Sequence, residues 1–209
     1  MKIVLLGAPG CGKGTQAEVL NDRLGIPTIS TGNMLRAAIK AGTDLGKQVE
    51  SVLARGELVS DDIILAILAE RVAEPDCKAG YILDGVPRTV PQAEGMEQAG
   101  IEVEHCIFLD VSEEIIVKRL SGRRACNCGM TYHITNKAPQ AENVCDKCGS
   151  GLMIRADDEP AAIQNRLAIY HSQTAPLVAF YKDRGKLHVI QGGIGIQAEN
   201  DLIIAAMGL

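Results

Sequence analysis

Tryptophan is absent from the chain, and only four tyrosines and two phenylalanines stand among its 209 residues. A core without large rings has to be filled by Val, Ile, Leu and Ala, which suits a parallel sheet covered on both faces. Positive charge is not in excess either: 21 Lys and Arg face 26 Asp and Glu, a formal net charge of −5. That balance argues against a general nucleic-acid or membrane-surface binder, whose footprint is basic, so any anionic ligand has to be met by local clusters. The apolar start, Met1 to Leu6, is broken at once by Gly7 and is far too short for a signal peptide or a membrane span. No internal repeat, low-complexity tract or linker divides the sequence. Nor is there an even disulfide framework. Seven cysteines are an odd set, with Cys11, Cys77 and Cys106 isolated and four crowded between 126 and 148, a crowding that reads as metal. The length allows one well-buried core with small insertions, and the expectation is a soluble, cytoplasmic protein.

What is present is organised around Gly7-Ala8-Pro9-Gly10-Cys11-Gly12-Lys13-Gly14-Thr15, which follows the apolar run Lys2 to Leu6 and precedes a helical pattern. Strand, glycine-rich turn and helix make a phosphate cradle. Backbone N–H groups turn inward on the anion, the helix N-terminus adds partial positive charge, and Lys13 supplies a mobile cation. The spacing fits the Walker A form, except that Gly14 follows the lysine and the hydroxyl comes one place later, on Thr15.

Apolar periodicity and glycine stops predict helices over 15–24, 31–41, 44–55, from Ser60 through Val72, up to Ala99, over 113–120, from Glu159 to about Asp183, and after Gly195. Strands are predicted at 2–6, 28–30, 81–84, 105–111 and 187–190, an α/β doubly wound parallel five-stranded sheet. Thr31 and Ser60 read as helix caps. Thr89 and Gln92 have capping-box spacing, which gives Gln92 a structural task that competes with any ligand role. No strand separates the helices between 31 and 59, so that stretch is an excursion from the core. A second excursion runs from 121 to 158, where the composition turns to Cys, Gly, Asn and Asp with little helical period.

In an acidic chain, Arg36, Arg88, Arg119, Arg123, Arg155 and Arg166 stand at element ends beside glycine-rich turns. The planar guanidinium fork pairs bidentately with phosphate oxygens, so the set points to a polyphosphate site, although each alone would pass for a surface arginine. Asp84-Gly85-Val86-Pro87-Arg88-Thr89 ends a strand with a carboxylate at the edge where open α/β folds bind ligands. Asp84 can hold waters of a Mg²⁺ carried by nucleotide phosphates. Cys145-x-x-Cys148 is a metal knuckle, and sixteen residues separate it from Cys128 upstream, a zinc-ribbon separation. Cys126-Asn127-Cys128 is irregular, yet residues two apart in an extended segment project to one side, so both sulfurs can reach one ion. Four thiolates on Zn²⁺ are the favoured set, with His133 a rival fourth ligand and other tetrahedral-compatible metals open.

GAPGCGKGT at 7–15, STGNMLR at 30–36, DGVPRT at 84–89, GRR at 122–124, TYH at 131–133 and RADD at 155–158 run in order over nearly the whole chain. Together they resemble adenylate kinase, in its long-lid bacterial form with a metal-binding lid, whose phosphate loop ordinarily reads Gly then Thr after the lysine. The resemblance implies a core of 1–29, 60–120 and 159–209, an AMP-binding insertion at 30–59 and a lid at 121–158. It implies a monomer that transfers phosphoryl from MgATP to AMP, giving two ADP, in adenine nucleotide homeostasis. On the ATP side it places Gly10, Cys11, Gly12, Lys13, Gly14 and Thr15 on the phosphates, Arg119 on the adenine, Arg123 on the phosphates, Thr131 and Tyr132 from the lid, and a backbone carbonyl near Ile194 on the base. On the AMP side it places Thr31, Arg36, Glu57, Leu58, Val59, Gly85, Val86, Pro87, Arg88 and Gln92, with Arg155 and Arg166 between the nucleotides. The implied catalytic set is Lys13, Asp84, Arg88, Arg123, Arg155 and Arg166. Asn33 and Val86 depart from the family's usual Asp and Phe. A kinase for UMP, CMP or another small acceptor, a nucleotide sensor and a zinc-ribbon nucleic-acid binder are the rival readings; the retained arginines disfavour the sensor and the acidic charge disfavours the nucleic-acid binder.

Overall fold

The computed structural model describes residues 1–209. The chain runs β1 (Lys2–Leu6), α1 (Lys13–Leu24), β2 (Thr28–Ser30), α2 (Thr31–Lys40), α3 (Asp44–Ala54), α4 (Asp61–Val72), β3 (Tyr81–Asp84), α5 (Val90–Gln98), β4 (His105–Asp110) and α6 (Glu113–Ser121). It then makes a small hairpin, β5 (Arg123–Ala125) and β6 (Thr131–His133), before α7 (Pro160–Ile169), α8 (Leu177–Asp183), β7 (Leu187–Gln191) and α9 (Ile196–Ala206). Five strands pair in parallel in the order β2-β3-β1-β4-β7.

Successive strand residues point to opposite faces, and here both faces are apolar. Ile3, Leu5, Ile82, Ile107, Leu109 and Ile190 meet Ala17 and Leu20 of α1 and Ile203 of α9 on one side. Val4, Leu6, Leu83 and Cys106 meet Leu68 of α4, Met96 of α5 and Leu177 of α8 on the other. A sheet built this way needs helices on both sides, which is the doubly wound arrangement. The chain leaves β1 toward β3 and β2 and later returns past it to β4 and β7, so strand order reverses beside β1. The loop Gly7–Gly12 opens from that reversal, where the carboxyl ends of the strands form a crevice.

Local structure differs from the sequence expectation at several points. Thr31 is not a cap: Ser30 holds that position, and the Thr31 hydroxyl donates instead to Gly85 O at 3.0 Å. Ser60 does hold the N-cap position of α4, but without a side-chain capping bond. Thr89 does cap α5, accepting from Gln92 N at 3.1 Å, but Gln92 Oε1 accepts from Arg88 N at 2.7 Å, one residue short of the box. The helix expected from 159 to 183 is broken by a π-helical turn at Tyr170–Thr174. The turn puts Thr174 Oγ1 2.7 Å from Arg88 O, and π-turns recur where a side chain must be delivered to a site. No helix is long and apolar enough to cross a membrane.

Candidate active site

A cleft of about 1070 Å³ lies along the carboxyl ends of the strands, walled by the glycine loop, α2, the stretch 56–59, the turn after β3 and the β5–β6 hairpin. The loop reaches it because Gly10 and Gly12 adopt positive φ, 85° and 116°, which a side chain would resist. Any Cβ on Gly10 would also strike Leu120 at 2.7 Å. Lys13 Nζ folds over the loop, donating to Gly7 O at 2.7 Å and Ala8 O at 3.0 Å. Those carbonyls hold a cation that an arriving phosphate can claim. Asp84 leaves β3 beside the loop: a Cβ added to Gly14 would stand 3.6 Å from its Oδ2. A lone carboxylate against a phosphate loop fits a Mg²⁺ that keeps most of its waters.

Arg36, Arg88, Arg123, Arg155 and Arg166 all line this cleft, against the carboxylates of Asp84, Asp157 and Asp158. Five guanidiniums against three carboxylates leave a surplus of two positive charges inside a chain of net charge −5. Burial lowers the pKa of Arg36, Arg88 and Arg166 from the ordinary guanidinium value, and neighbouring cations lower it further. Arg155 is pushed down to about 9, first by burial and then by Arg123 and Arg36. A guanidinium does not surrender its proton near neutral pH, so the shifts express a demand for anions. The Arg155 Nε is buried with no hydrogen-bond partner, a donor that a phosphoryl oxygen would satisfy.

The acidic members order the cluster. Asp158, with a side chain shut off from solvent, accepts from Arg123 through both oxygens, Nε at 2.7 Å to Oδ2, and from Arg166 Nη1 at 3.1 Å. Burial works to raise the Asp157 carboxyl, yet Arg166, Arg123, Arg155 and Arg36 outweigh it and hold the group below the usual range. The turn after β3 is equally pinned: Arg88 Nε donates to Gly85 O at 3.0 Å, and the Arg88 backbone is gripped by Gln92 and Thr174. Asn33 Oδ1 accepts from Arg36 Nη2 at 2.6 Å, a neutral partner that adds no compensating charge of its own.

At the other end, Arg119 donates to Cys11 O and lies 3.6 Å from the buried Glu199. Glu199 also accepts from Gly193 N at 2.7 Å and from Gln16 Nε2 at 3.2 Å, tying the loop after β7 to α1. Thr31, Leu58, Val59, Gly85, Pro87 and Gln92 face the cleft together with Thr131. Glu57 lines it too but is paired with Arg55 at 2.8 Å. Three residues of the sequence reading stand apart. The Cys11 and Val86 side chains are fully buried in the two core clusters, and Ile194 is exposed on the loop beyond β7. Tyr132 turns its hydroxyl toward the cysteines, 3.5 Å from Cys145 Sγ, and accepts from Asp146 N at 2.8 Å.

Cys126, Cys128, Cys145 and Cys148 bring their sulfurs within 4.8 Å of one another. The Sγ pairs 126–148 and 128–145 are 3.4 and 3.6 Å apart, too long for a disulfide and close to the edge of ~3.8 Å that a tetrahedron of ~2.3 Å Zn–S bonds requires. The donor set fits one thiolate-loving ion. Cys126 and Cys128 meet through a turn closed by Gly129 N to Cys126 O at 3.0 Å, not through the extended backbone expected. His133 does not join them: its Nδ1 accepts from Thr135 N at 3.1 Å and Asn136 N at 3.2 Å. Hydrogen bonding from Tyr132, with the backbone N–H groups of Cys148 and Lys147, lowers the Cys145 thiol to about 6.

The carboxylates Asp157 and Asp158 were quoted in a motif but given no task by sequence reasoning, although an acidic pair beside Arg155 is a visible signal. Glu199 and Gln16 left none, being ordinary polar residues in helical periods. A family model described as adenylate kinase matches residues 5–186. The chain is 52% identical over 211 aligned residues to the adenylate kinase of Trichlorobacter lovleyi, an alignment that covers 99% of this chain and 98% of that protein.

Proposed function

The chain belongs to the adenylate kinase family, and on that premise we propose that it transfers a phosphoryl group reversibly from ATP to AMP, giving two ADP. The observation that carries the reading is the cluster of five arginines, two in excess of its carboxylates, between the phosphate loop and the helical excursion, with the Arg155 Nε left without a partner. Two facing phosphate chains supply the anions that such a set demands. The attacking oxygen of AMP is already anionic at neutral pH, so no general base is required, and the cleft offers donors in its place. Lys13 would leave the Gly7 and Ala8 carbonyls for the donor phosphates, while Arg36 and Arg88 hold the acceptor phosphate. Arg123, Arg155 and Arg166 would then lie beside the transferring group, aligned by Asp158. Positioning and charge neutralisation are what in-line phosphoryl transfer asks of a protein. Mg²⁺, when bound with the nucleotide, adds charge neutralisation, and Asp84 is the residue that would hold its waters.

In this reading 1–29, 60–120 and 159–209 form the core, 30–59 the AMP-binding insertion and 121–158 a lid. Gly10 to Thr15, Arg119, Arg123, Thr131 and the backbone near Ile194 serve ATP, and Thr31, Arg36, the 57–59 stretch, Gly85 to Arg88 and Gln92 serve AMP. The lid closes to exclude water, which would otherwise hydrolyse the donor, and Zn²⁺ on the four cysteines is its structural ion. The enzyme works as a cytoplasmic monomer. The test is ADP formation from ATP with AMP, UMP and CMP as acceptors in a coupled assay. AMP should be strongly preferred, and Arg88→Ala should lower kcat about 10²–10³-fold, the cost of losing a positioned donor to developing charge. The same variant should keep the fold, since the backbone N–H and carbonyl at position 88 remain held by Gln92 and Thr174. Near-normal turnover of Arg88→Ala would sink the arginine reading.

A further inference from the structure

The first residue of α4, Asp61, lies behind Gln92 and has been assigned no task. Its Oδ1 accepts from Gln92 Nε2 at 2.7 Å, while Thr89 Oγ1 stands 3.3 Å from its Oδ2. Gln92 Oε1 accepts from Arg88 N at 2.7 Å, and Gln92 is 1% exposed. We propose that Asp61 is a specificity-determining positioning residue: by holding the Gln92 amide in one orientation, it selects adenine as the base of the phosphoryl acceptor.

The argument is one of donors and acceptors. A carboxylate presents only acceptors and a backbone N–H is only a donor. The amide NH₂ must therefore face Asp61 and the amide oxygen must face Arg88. Turning the amide over would set oxygen against carboxylate and NH₂ against N–H, two repulsions inside a buried site. The orientation follows from chemistry even though amide nitrogen and oxygen look alike in shape. One N–H and one lone pair of Gln92 are left for the cleft. Adenine offers a 6-amino donor beside the N1 acceptor, the complement of that pair. Hypoxanthine and guanine offer the reverse, a 6-oxo acceptor beside an N1–H donor, and would need the amide turned over. Thr89 reinforces the arrangement by donating to Asp61 while accepting from Gln92 N at 3.1 Å. The capping role of Thr89 and the base-reading role of Gln92 are thus parts of one network.

The proposal rests on the reading of Gln92 as a contact to the acceptor base, and the experiment separates the two. Steady-state rates are measured with saturating MgATP and varied AMP or IMP, for the parent, Asp61→Asn, Asp61→Glu and Gln92→Ala, with thermal melts of each. Asn at 61 can donate as well as accept, so it removes one of the two repulsions that oppose a turned amide and leaves only the Arg88 N–H against it, and it remains a good residue for a helix start. Asp61→Asn should reduce the preference for AMP over IMP about tenfold, the usual worth of one base-reading pair. The change should appear in the acceptor KM and leave the ATP KM at the parent value. Asp61→Glu, which keeps an acceptor, should retain most of the preference. A structural role alone would lower the melting temperature without moving the AMP to IMP ratio. If Gln92→Ala raises the AMP KM while both Asp61 variants keep the parent ratio, the positioning role is overturned. If Gln92→Ala leaves the AMP KM unchanged, the base-reading assignment falls and the role of Asp61 falls with it.

Discussion

The sheet core and the segment 121–158, the proposed lid, are held together by different chemistry. Twenty buried residues pack on one face of the sheet and twelve on the other. With roughly 1.5–3 kcal/mol for each fully buried large aliphatic side chain, burial alone can offset the ordering of these segments. The lid has one buried cluster, made of Cys126, Tyr132 and Cys145, with Met130 and Leu152 beside it. Met153 and Ile154 remain largely exposed. A segment so poor in apolar burial cannot order itself by that means, and four convergent thiols are the alternative. The difference teaches that one chain can carry folding units of unequal autonomy, with the arginines that line the cleft divided among them: Arg88 and Arg166 on the core, Arg36 on the helical excursion, and Arg123 and Arg155 near the two ends of the segment 121–158.

Removing the Zn²⁺ proposed for the four cysteines is the largest perturbation this comparison predicts, since structural Zn²⁺ in small domains contributes about 10–16 kcal/mol of apparent binding energy to folding. Chelation, or Cys145→Ser, should abolish hydrogen-exchange protection across 123–155 and lower kcat by moving Arg123, while protection of β1, β3 and β4 persists. Loss of protection in the core strands at the same chelator concentration would mean that the two units are one. The converse experiment is Leu83→Ala. Leu83 is wholly buried, and truncation there should cost about 2–5 kcal/mol by chemical denaturation with the stoichiometry of bound metal unchanged. A metal content that fell with core stability would break the comparison from the other side.

The two units were also unequally legible. The core shows in the sequence because its glue is periodic: Lys2 to Leu6, Tyr81 to Asp84 and His105 to Val111 are short apolar runs of β-branched and aliphatic residues, and a strand buried on both faces has no other way to look. The cysteine ligands show because spacing encodes a tetrahedron. What stayed hidden depends on contacts between residues distant in sequence. Glu199 bonds Gln16 and Gly193, and Asp158 bonds Arg123, 35 residues away. Gln92 was legible as a cap, but its Asp61 partner lies 31 residues back. The π-helical turn at Tyr170–Thr174 has no residue signature at all, because one extra residue in a turn changes no apolar count. Cys126 and Cys128 misled in geometry though not in outcome: Gly129 at φ 95° closes a turn where an extended pair was expected.

The smallest effect is expected where the two units touch. Lys137 of the lid meets Glu18 of α1 at 2.6 Å, with side chains 30% and 40% exposed. An ion pair this open is worth about 0.2–1 kcal/mol, because water and salt screen it and two flexible side chains must be ordered. A weak clasp suits the proposed lid, which would open on each turnover: a pair worth several kcal/mol would hold products in place, and product release or lid opening limits many enzymes. Lys137→Ala should therefore raise the ATP KM by no more than about fivefold, the equivalent of 1 kcal/mol, and the effect should fade as ionic strength rises and the Debye length shrinks below about 10 Å. Glu18→Ala should behave alike, and the double variant should be no worse than either single one if the pair is the only thing lost. A larger effect that ignored salt would show that Lys137 meets the nucleotide itself, and that core and lid are joined through the substrate more than through each other.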